Sequence, residues 1–351
     1  MRIALDAHGG DIGVSRNVSA VLELQKQSNP KVQIVLVGNK QEIEAELRRR
    51  RVRLKRIEIV HAEEKIGMTE SAVQAVRRKT NNSISVAMDL LKVGSVDGMV
   101  SAGHSGAVVA SALLTLGRVP GVSRPAIGTR LPITPKMAFA LDIGAVIDPK
   151  PEVLLQYGYL GTAYAKSVLG IDNPTVALLS NGEESSKGNA LVRSARELFE
   201  AAPNINFVGY VEGQDVLHSP PDVTVTDGFT GNVALKTAEG TAIGIQRVLR
   251  DELTSARWTK VLALMLRPAF MRLRQRIDIE GIGGAPLLGV NGVVILSHGR
   301  SSASALVNAI YTATHAAEVG LPALQRDAIP ALVPVASDSA VDASASQHPI
   351  E

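Results

Sequence analysis

Short aliphatic and β-branched runs alternate along the chain with longer stretches of helical period. The runs at 2–7 (RIALDA), 32–38 (VQIVLVG), 57–62, 98–103, 137–144, 175–182, 205–211, 222–228 and 291–299 predict strands. Most are apolar at successive positions, not alternate ones, the pattern of strands covered on both faces. Between them, 151–169 and 188–202 predict helices. This alternation predicts an α/β fold: a mostly parallel sheet with helices on both faces and right-handed crossovers. From 233 to 278 the rhythm stops, and a helical pattern with no strand predicts a protruding helical segment. From about 330 the chain is rich in Ala, Ser and Pro with no period. The expected organisation is one α/β domain over 1–325, including the helical segment, and a disordered tail at 326–351.

Composition narrows the function classes. The 351 residues are 45% hydrophobic and only 3% aromatic. An aliphatic core fits this, whereas a stacking surface for single-stranded nucleic acid does not. Cysteine is absent, which excludes disulfides, thiolate metal sites and a cysteine nucleophile, and fits a reducing cytosol. Net charge is +3, yet 47–56 (LRRRRVRLKR) holds seven basic side chains. That run reads either as a solvated helix end entering an edge strand or as a docking patch for an acidic partner. No nucleic-acid-binding motif accompanies it. Asp6 interrupts the first apolar run, so no signal peptide is expected. The uncharged stretch 98–117 contains Ser101, Gly103, His104, Ser105 and Gly106, which fits a buried strand–turn–helix better than a bilayer span.

Five predicted strands end in small or polar turns: DAHGGD (6–11), SAGHSGA (101–107), LSNGEESSKGN (179–189), TDGFTGN (226–232) and SHGRSS (297–302). Ligands of α/β sheets bind beyond the carboxyl ends of strands, where glycines admit close approach and helix-start N–H groups favour anions. Together the turns predict one polar site lined by several loops. The P-loop string and the HExxH zinc motif are missing, and Pro286 spoils 281–289 as a dinucleotide fingerprint. SAGHSGA partly matches a nucleophile elbow, with Ser105, Asp227 and His298 in the order Ser…Asp…His. Ala107 stands where that motif requires glycine. A helix start lined with small residues accounts for the same string.

As an ordered set, DAHGGD, SAGHSGA, RPAI (124–127), LDIGA (141–145), NGEESSKGN (181–189), DGFTGNVALKTAEG (227–240) and GVNGVVILSHG (289–299) resemble the bacterial acyl-carrier-protein:phosphate acyltransferases. The resemblance covers about 2–315. It departs at His8, at His104–Ser105 and at Val146, where the family carries Met, Asn-Thr and Asn. It implies a fold like that of phosphate acetyltransferases and isocitrate-dehydrogenase-like proteins. The implied reaction moves a fatty acyl group from acyl-acyl carrier protein to inorganic phosphate, giving acyl phosphate for phospholipid synthesis. Also implied are a homodimer, no metal or other cofactor, and no nucleic acid. The expected location is the cytoplasm, peripheral to an anionic membrane surface, upstream of a membrane glycerol-3-phosphate acyltransferase. Two other readings stay open: a phosphate acetyltransferase acting on acetyl-CoA, and a non-catalytic ligand-binding or membrane-docking scaffold of the same fold.

Phosphate attack on a thioester requires a held dianion, a stabilised oxyanion and a departing thiolate. The thiolate leaves readily, so neither a metal nor a covalent enzyme intermediate is needed. Lys187 is expected to position the phosphate; as a mere surface lysine at a helix start it would oppose the helix dipole. Asn232 matches the family's second catalytic position, its amide donating to the thioester carbonyl, with an N-cap ahead of Val233 as the rival role. The expected polar lining comprises Asp6, Gly9, Gly10, Asp11, Ser101, His104, Ser105, Ser297, His298 and Gly299. The two catalytic turns add Asn181, Gly182, Gly188, Asn189, Asp227, Gly228, Phe229, Thr230 and Gly231. Each also fits a purely structural turn role. Finally, 257–277 places Trp258, Leu262, Met265, Leu266, Ala269, Phe270, Leu273 and Ile277 on one helical face, opposite Lys260, Arg267 and Arg274. This reads as an interfacial helix, or as a face packed on another protomer or the preceding helix. Pro268 is expected to kink or split it.

Overall fold

The computed structural model describes residues 1–27, 32–51, 57–131, 137–271 and 283–329. The first half of the chain gives β1 (Arg2–Asp6), α1 (Val14–Lys26), β2 (Gln33–Gly38), α2 (Lys40–Arg49), β3 (Ile57–His61), α3 (Ala72–Arg78) and α4 (Ser83–Lys92). Next come β4 (Gly98–Ser101), α5 (Ser105–Thr115), β5 (Ala126–Arg130), β6 (Phe139–Leu141), α6 (Pro151–Ser167) and β7 (Thr175–Ser180). The second half continues with α7 (Ala190–Glu200), β8 (Asn206–Glu212), α8 (Asp215–His218), β9 (Val223–Val225), α9 (Gly228–Thr254) and α10 (Arg257–Met265). It ends with β10 (Ala285–Leu288), β11 (Val294–Leu296), α11 (Ala303–Glu318) and α12 (Leu321–Ala328).

All eleven strands join one sheet in the order β3-β2-β1-β4-β11-β10-β5-β6-β9-β7-β8. It is parallel from β3 to β11 and again from β6 to β8. Three antiparallel pairings in the middle, β11–β10, β10–β5 and β5–β6, reverse the strand sense between the halves. The nine expected strands are present; β5 and β10, both in this reversing centre, were not expected. Along β1 and β2, Ile3, Leu5, Ile34 and Leu36 enter one apolar cluster, while Ala4, Val35 and Val37 enter the other. Period-two alternation thus sends neighbours to opposite faces, and both faces are covered. The first cluster holds residues of α1, α2, α6, α7 and α11; the second holds residues of α4 and α5.

The helical segment departs from its expected start. Asp227 Oδ1 accepts Thr230 N at 2.8 Å, so α9 begins at Gly228 and Asn232 lies within it. An N-cap role for Asn232 is therefore excluded. Of the 27 residues of α9 only Gly228 and Gly231 are buried, and Phe229, Val233, Ile243, Ile245 and Val248 are exposed. α10 ends at Met265, three residues before Pro268, as a proline that rejects the helix interior requires. Leu273, Arg274 and Ile277 lie outside the described residues. At the other end, α12 carries ordered chain to Ala328, beyond the expected boundary at 325; from 330 the tail lies outside the described residues. Among the described residues, no helix is long and apolar enough to cross a membrane.

Much of the charge in the basic run is met on α2 itself. Arg49 and Arg50 both pair with Glu46, at 2.7 and 2.6 Å, and Arg48 lies 3.6 Å from Glu44. Arg50 also reaches Ser15 Oγ at 2.9 Å, tying α2 to α1. The Arg49 and Arg50 hydrogen bonds hold the Glu46 carboxyl down to about 2. Residues 52–56 lie outside the described residues.

Candidate active site

The polar turns form two groups. The first gathers beyond β1, β4 and β11, three neighbouring parallel strands. Asp6 is 1% exposed; its Oδ1 accepts His8 N and Gly9 N at 3.1 Å, and its Oδ2 accepts Ser101 Oγ at 2.7 Å. Ser101 Oγ in turn accepts Gly103 N at 3.0 Å. Backbones meet so closely that a Cβ at Gly9 would fall 2.9 Å from Ala102 N. Gly10 adopts φ +87°, and the next residue, Asp11, donates its N–H to Gly299 O at 2.8 Å. Ser297 N donates to Ser101 O at 2.8 Å, and Ser297 Oγ pairs with Ser301 Oγ. Asn17, fully buried, donates to Ala7 O, Gly9 O and Gly13 O and holds the first turn from beneath. Asp6 and Ser101 thus spend their polar atoms inside the clasp. Asp11, Ser105 and His298 face solvent, and His104 Nδ1 is buried with no hydrogen-bond partner among the described residues.

His8, where the resemblance departs, turns elsewhere: its Nε2 accepts Asn39 N at 2.8 Å, in space that a Cβ at Gly38 would close.

The second group leaves β6, β9 and β7, neighbours of the opposite strand sense. After β7, Asn181 Oδ1 accepts Gly188 N at 2.9 Å and closes the turn, while Asn189 caps α7 by accepting Val192 N at 2.9 Å. Lys187 lies in that closed turn with its side chain 44% exposed, its stem folded over Gly182. After β9, the start of α9 presents Phe229, Thr230 and Asn232 to solvent while Gly228 and Gly231 face inward. Lys187, on the turn after β7, and Asn232, in the opening turns of α9 after β9, therefore follow adjacent parallel strands. The first group leaves the sheet in the opposite strand sense. Among the described residues, no hydrogen bond or ion pair joins the two groups. A single set of carboxyl ends does not account for all five turns.

The hydrolase-like trio is not assembled. Asp227 accepts from Thr230 N, His298 Nδ1 accepts from Arg300 N at 3.1 Å, and no hydrogen bond links either to Ser105. Among the described residues Asp227 forms no ion pair with Lys187, which stands 4.0 Å from the Glu184 carboxylate.

One residue of the second group was missed in the sequence. Asp142, at the end of β6, is fully buried and accepts from four backbone N–H groups, those of Ile127, Gly144, Ala145 and Val146. Burial pushes its carboxyl above the usual range, and the N–H bonds pull it back. The available signal was an aspartate between a strand and a glycine, a pattern that marks side-chain bonding to the following backbone.

Comparison with known proteins places this geometry. The family model described as fatty acid synthesis protein matches residues 1–324. A phosphate acyltransferase from Dictyoglomus turgidum is 47% identical over 314 residues, 89% of this chain and 93% of the relative. One from Nostoc punctiforme is 46% identical over 320 residues, 91% and 93% of the two chains. Among solved structures, a phosphotransacetylase from Streptococcus pyogenes matches with a TM-score of 0.60 at 20% identity, covering 91% of this chain and 94% of the other. A branched-chain phosphotransacylase from Enterococcus faecalis matches at 0.54 and 12% identity, covering 90% and 99%. These structures establish a shared fold. The sequence relatives establish kinship, and the chain belongs to the fatty acid synthesis protein family, together with enzymes named phosphate acyltransferase.

Proposed function

We infer that the protein transfers a fatty acyl group from acyl-acyl carrier protein to inorganic phosphate, giving an acyl phosphate for phospholipid synthesis. The observation that carries this reading is the 47% identity, over 89% of the chain, to a phosphate acyltransferase. In the reaction, a phosphate oxygen adds to the thioester carbon and the tetrahedral oxyanion collapses, expelling the carrier's thiolate. Lys187 holds the phosphate dianion, and the Asn232 amide donates to the oxyanion as charge develops. Both assignments draw on position: two exposed side chains, one cationic on the turn after β7 and one an N–H donor at the start of α9 after β9, the two strands being neighbours. Asp11, His104, Ser105 and His298, in the other group of turns, are assigned no step of this reaction.

Three further assignments belong to the same reading. The protein is a homodimer, joined by the exposed apolar surface of α9. It works at the cytoplasmic face of an anionic membrane, touching it through α10 and the residues after it. Its amphiphilic product passes there to a membrane glycerol-3-phosphate acyltransferase. Incubation with palmitoyl-acyl carrier protein and phosphate, with detection of acyl phosphate, tests the central claim. Turnover of acetyl-CoA but not the carrier thioester would instead mark a phosphate acetyltransferase, and turnover of neither a scaffold.

A further inference from the structure

Between Asp142 and Asn232 runs a continuous set of close contacts that the chemistry above does not use. The Asp142 carboxylate binds the loop that follows it: Oδ1 accepts Gly144 N and Ala145 N at 3.1 and 2.9 Å, and Oδ2 accepts Ala145 N and Val146 N at 3.0 and 2.7 Å. The remaining bond, Ile127 N to Oδ1 at 3.0 Å, fastens that loop to β5. The loop then grips the start of α9. Val146 O accepts Gly228 N at 2.8 Å. At Gly228 a Cβ would stand 2.6 Å from Val146 O and 2.7 Å from Asp142 Oδ2. At Gly231 a Cβ would fall 2.0 Å from Asp142 O, so only glycine lets this turn of α9 lie on the aspartate's backbone. Gly144, at φ +138°, faces Asn232, whose Oδ1 lies 3.9 Å from its ideal Cβ position. The loop is half-exposed: Ile143 and Ala145 rest on the second apolar cluster, and the carboxylate holds the backbone N–H groups of Gly144, Ala145 and Val146.

We propose that Asp142 is a positioning residue: through the 143–146 loop it fixes the first turn of α9 and so the place of the Asn232 amide. This rests on the reading that Asn232 acts in the reaction. An amide at 142 keeps the size but turns an NH2 group toward N–H donors, so the loop loses acceptors and shifts. Displacement by about 1 Å at a reacting centre costs on the order of 10²-fold in rate.

The test is a double-mutant cycle on the full chain, with kcat, KM for phosphate and thermal midpoint read for Asp142→Asn, Asn232→Ala and the pair. Asp142→Asn is expected to lower kcat by about 10-fold or more in the parent, and by less than roughly twofold once Asn232 is already alanine. Its loss of thermal midpoint should be the same in both backgrounds. An equal fall in kcat in both backgrounds would overturn the proposal, since Asp142 would then act independently of Asn232. Parent-like turnover of Asn232→Ala would instead remove Asn232 from the reaction, and the positioning role with it. Should Asp142→Asn fail to fold, Gly228→Ala, which pushes on the Val146 carbonyl, runs the same cycle with the same deciding outcomes.

Discussion

The Lys187 ammonium stands 4.0 Å from the Glu184 carboxylate, and its stem crosses Gly182 so closely that a Cβ there would lie 2.6 Å from Lys187 Cγ. The cation is thus held over a bare stretch of backbone by a partner that is itself 69% exposed. An exposed pair of this kind contributes only about 0–1 kcal/mol, so the arrangement leaves the ammonium available to a stronger anion. Lys187→Ala is expected to lower kcat by about 10²-fold or more with little change in melting temperature. Glu184→Gln, which removes the competing charge, should lower KM for phosphate. Parent-like turnover of Lys187→Ala would remove it from the site.

Ser101 gives a contrasting outcome. Its hydroxyl donates to Asp6 and accepts from Gly103 N in a clasp closed to solvent. Ser101→Ala strands a buried carboxylate oxygen and an N–H, a loss of about 1–3 kcal/mol. Urea unfolding should show a lower midpoint at constant slope. An unchanged midpoint would mean that water or a ligand, not the clasp, satisfies Asp6.

The contrast also shows what the sequence could and could not reveal. Turns after strands were readable because glycine and polar residues cluster there. Whether a turn residue faces in or out was not: Asp6 and Asp11 are five positions apart in one motif, yet one is buried and the other exposed. Strands β5 and β10 escaped because AIGTR and APLL carry Gly128 and Pro286, residues that argue against strands locally. Gly128 is explained only across the sheet, since its Cβ would fall 2.1 Å from Phe139 Cζ. Those two strands reverse the sheet, so missing them concealed the division of the polar turns into two groups. Asp142 was missed for a related reason. Its partners are backbone N–H groups, announced only by an aspartate between a strand and a glycine.

Glu46 carries a pH signature. Arg49 and Arg50 hold its folded carboxyl down to about 2, against about 4.3 in an unfolded chain. A depressed carboxyl contributes stability that is complete above the unfolded value and lost as pH falls through the folded one. The difference in urea midpoint between the parent and Glu46→Gln should therefore be constant above about pH 5 and vanish near pH 2. A difference that persisted at pH 2 would locate the effect in packing rather than charge.

The apolar helices allow the proposed dimer and membrane contacts to be tested separately. On α9, Ile245 and Val248 are 62% and 63% exposed, one turn apart and on one side of the helix. On α10 and just after it, Met265 and Leu266 are 73% and 51% exposed, beside Arg267. So much exposed apolar surface on one projection requires cover, and the two stretches differ in charge. α9 near Ile245 mixes both signs, with Arg247, Arg250, Asp251 and Glu252, whereas 257–267 carries Arg257, Lys260 and Arg267 and no acid. Mixed charge suits a second copy of the chain; apolar residues beside unopposed cations suit an anionic bilayer. Ile245→Glu with Val248→Glu should shift sedimentation from dimer to monomer. Met265→Glu with Leu266→Glu should abolish flotation with phosphatidylglycerol vesicles while leaving the dimer and turnover of soluble substrate intact. Dissociation of the second variant would make 265–266 a protomer contact and end the membrane assignment.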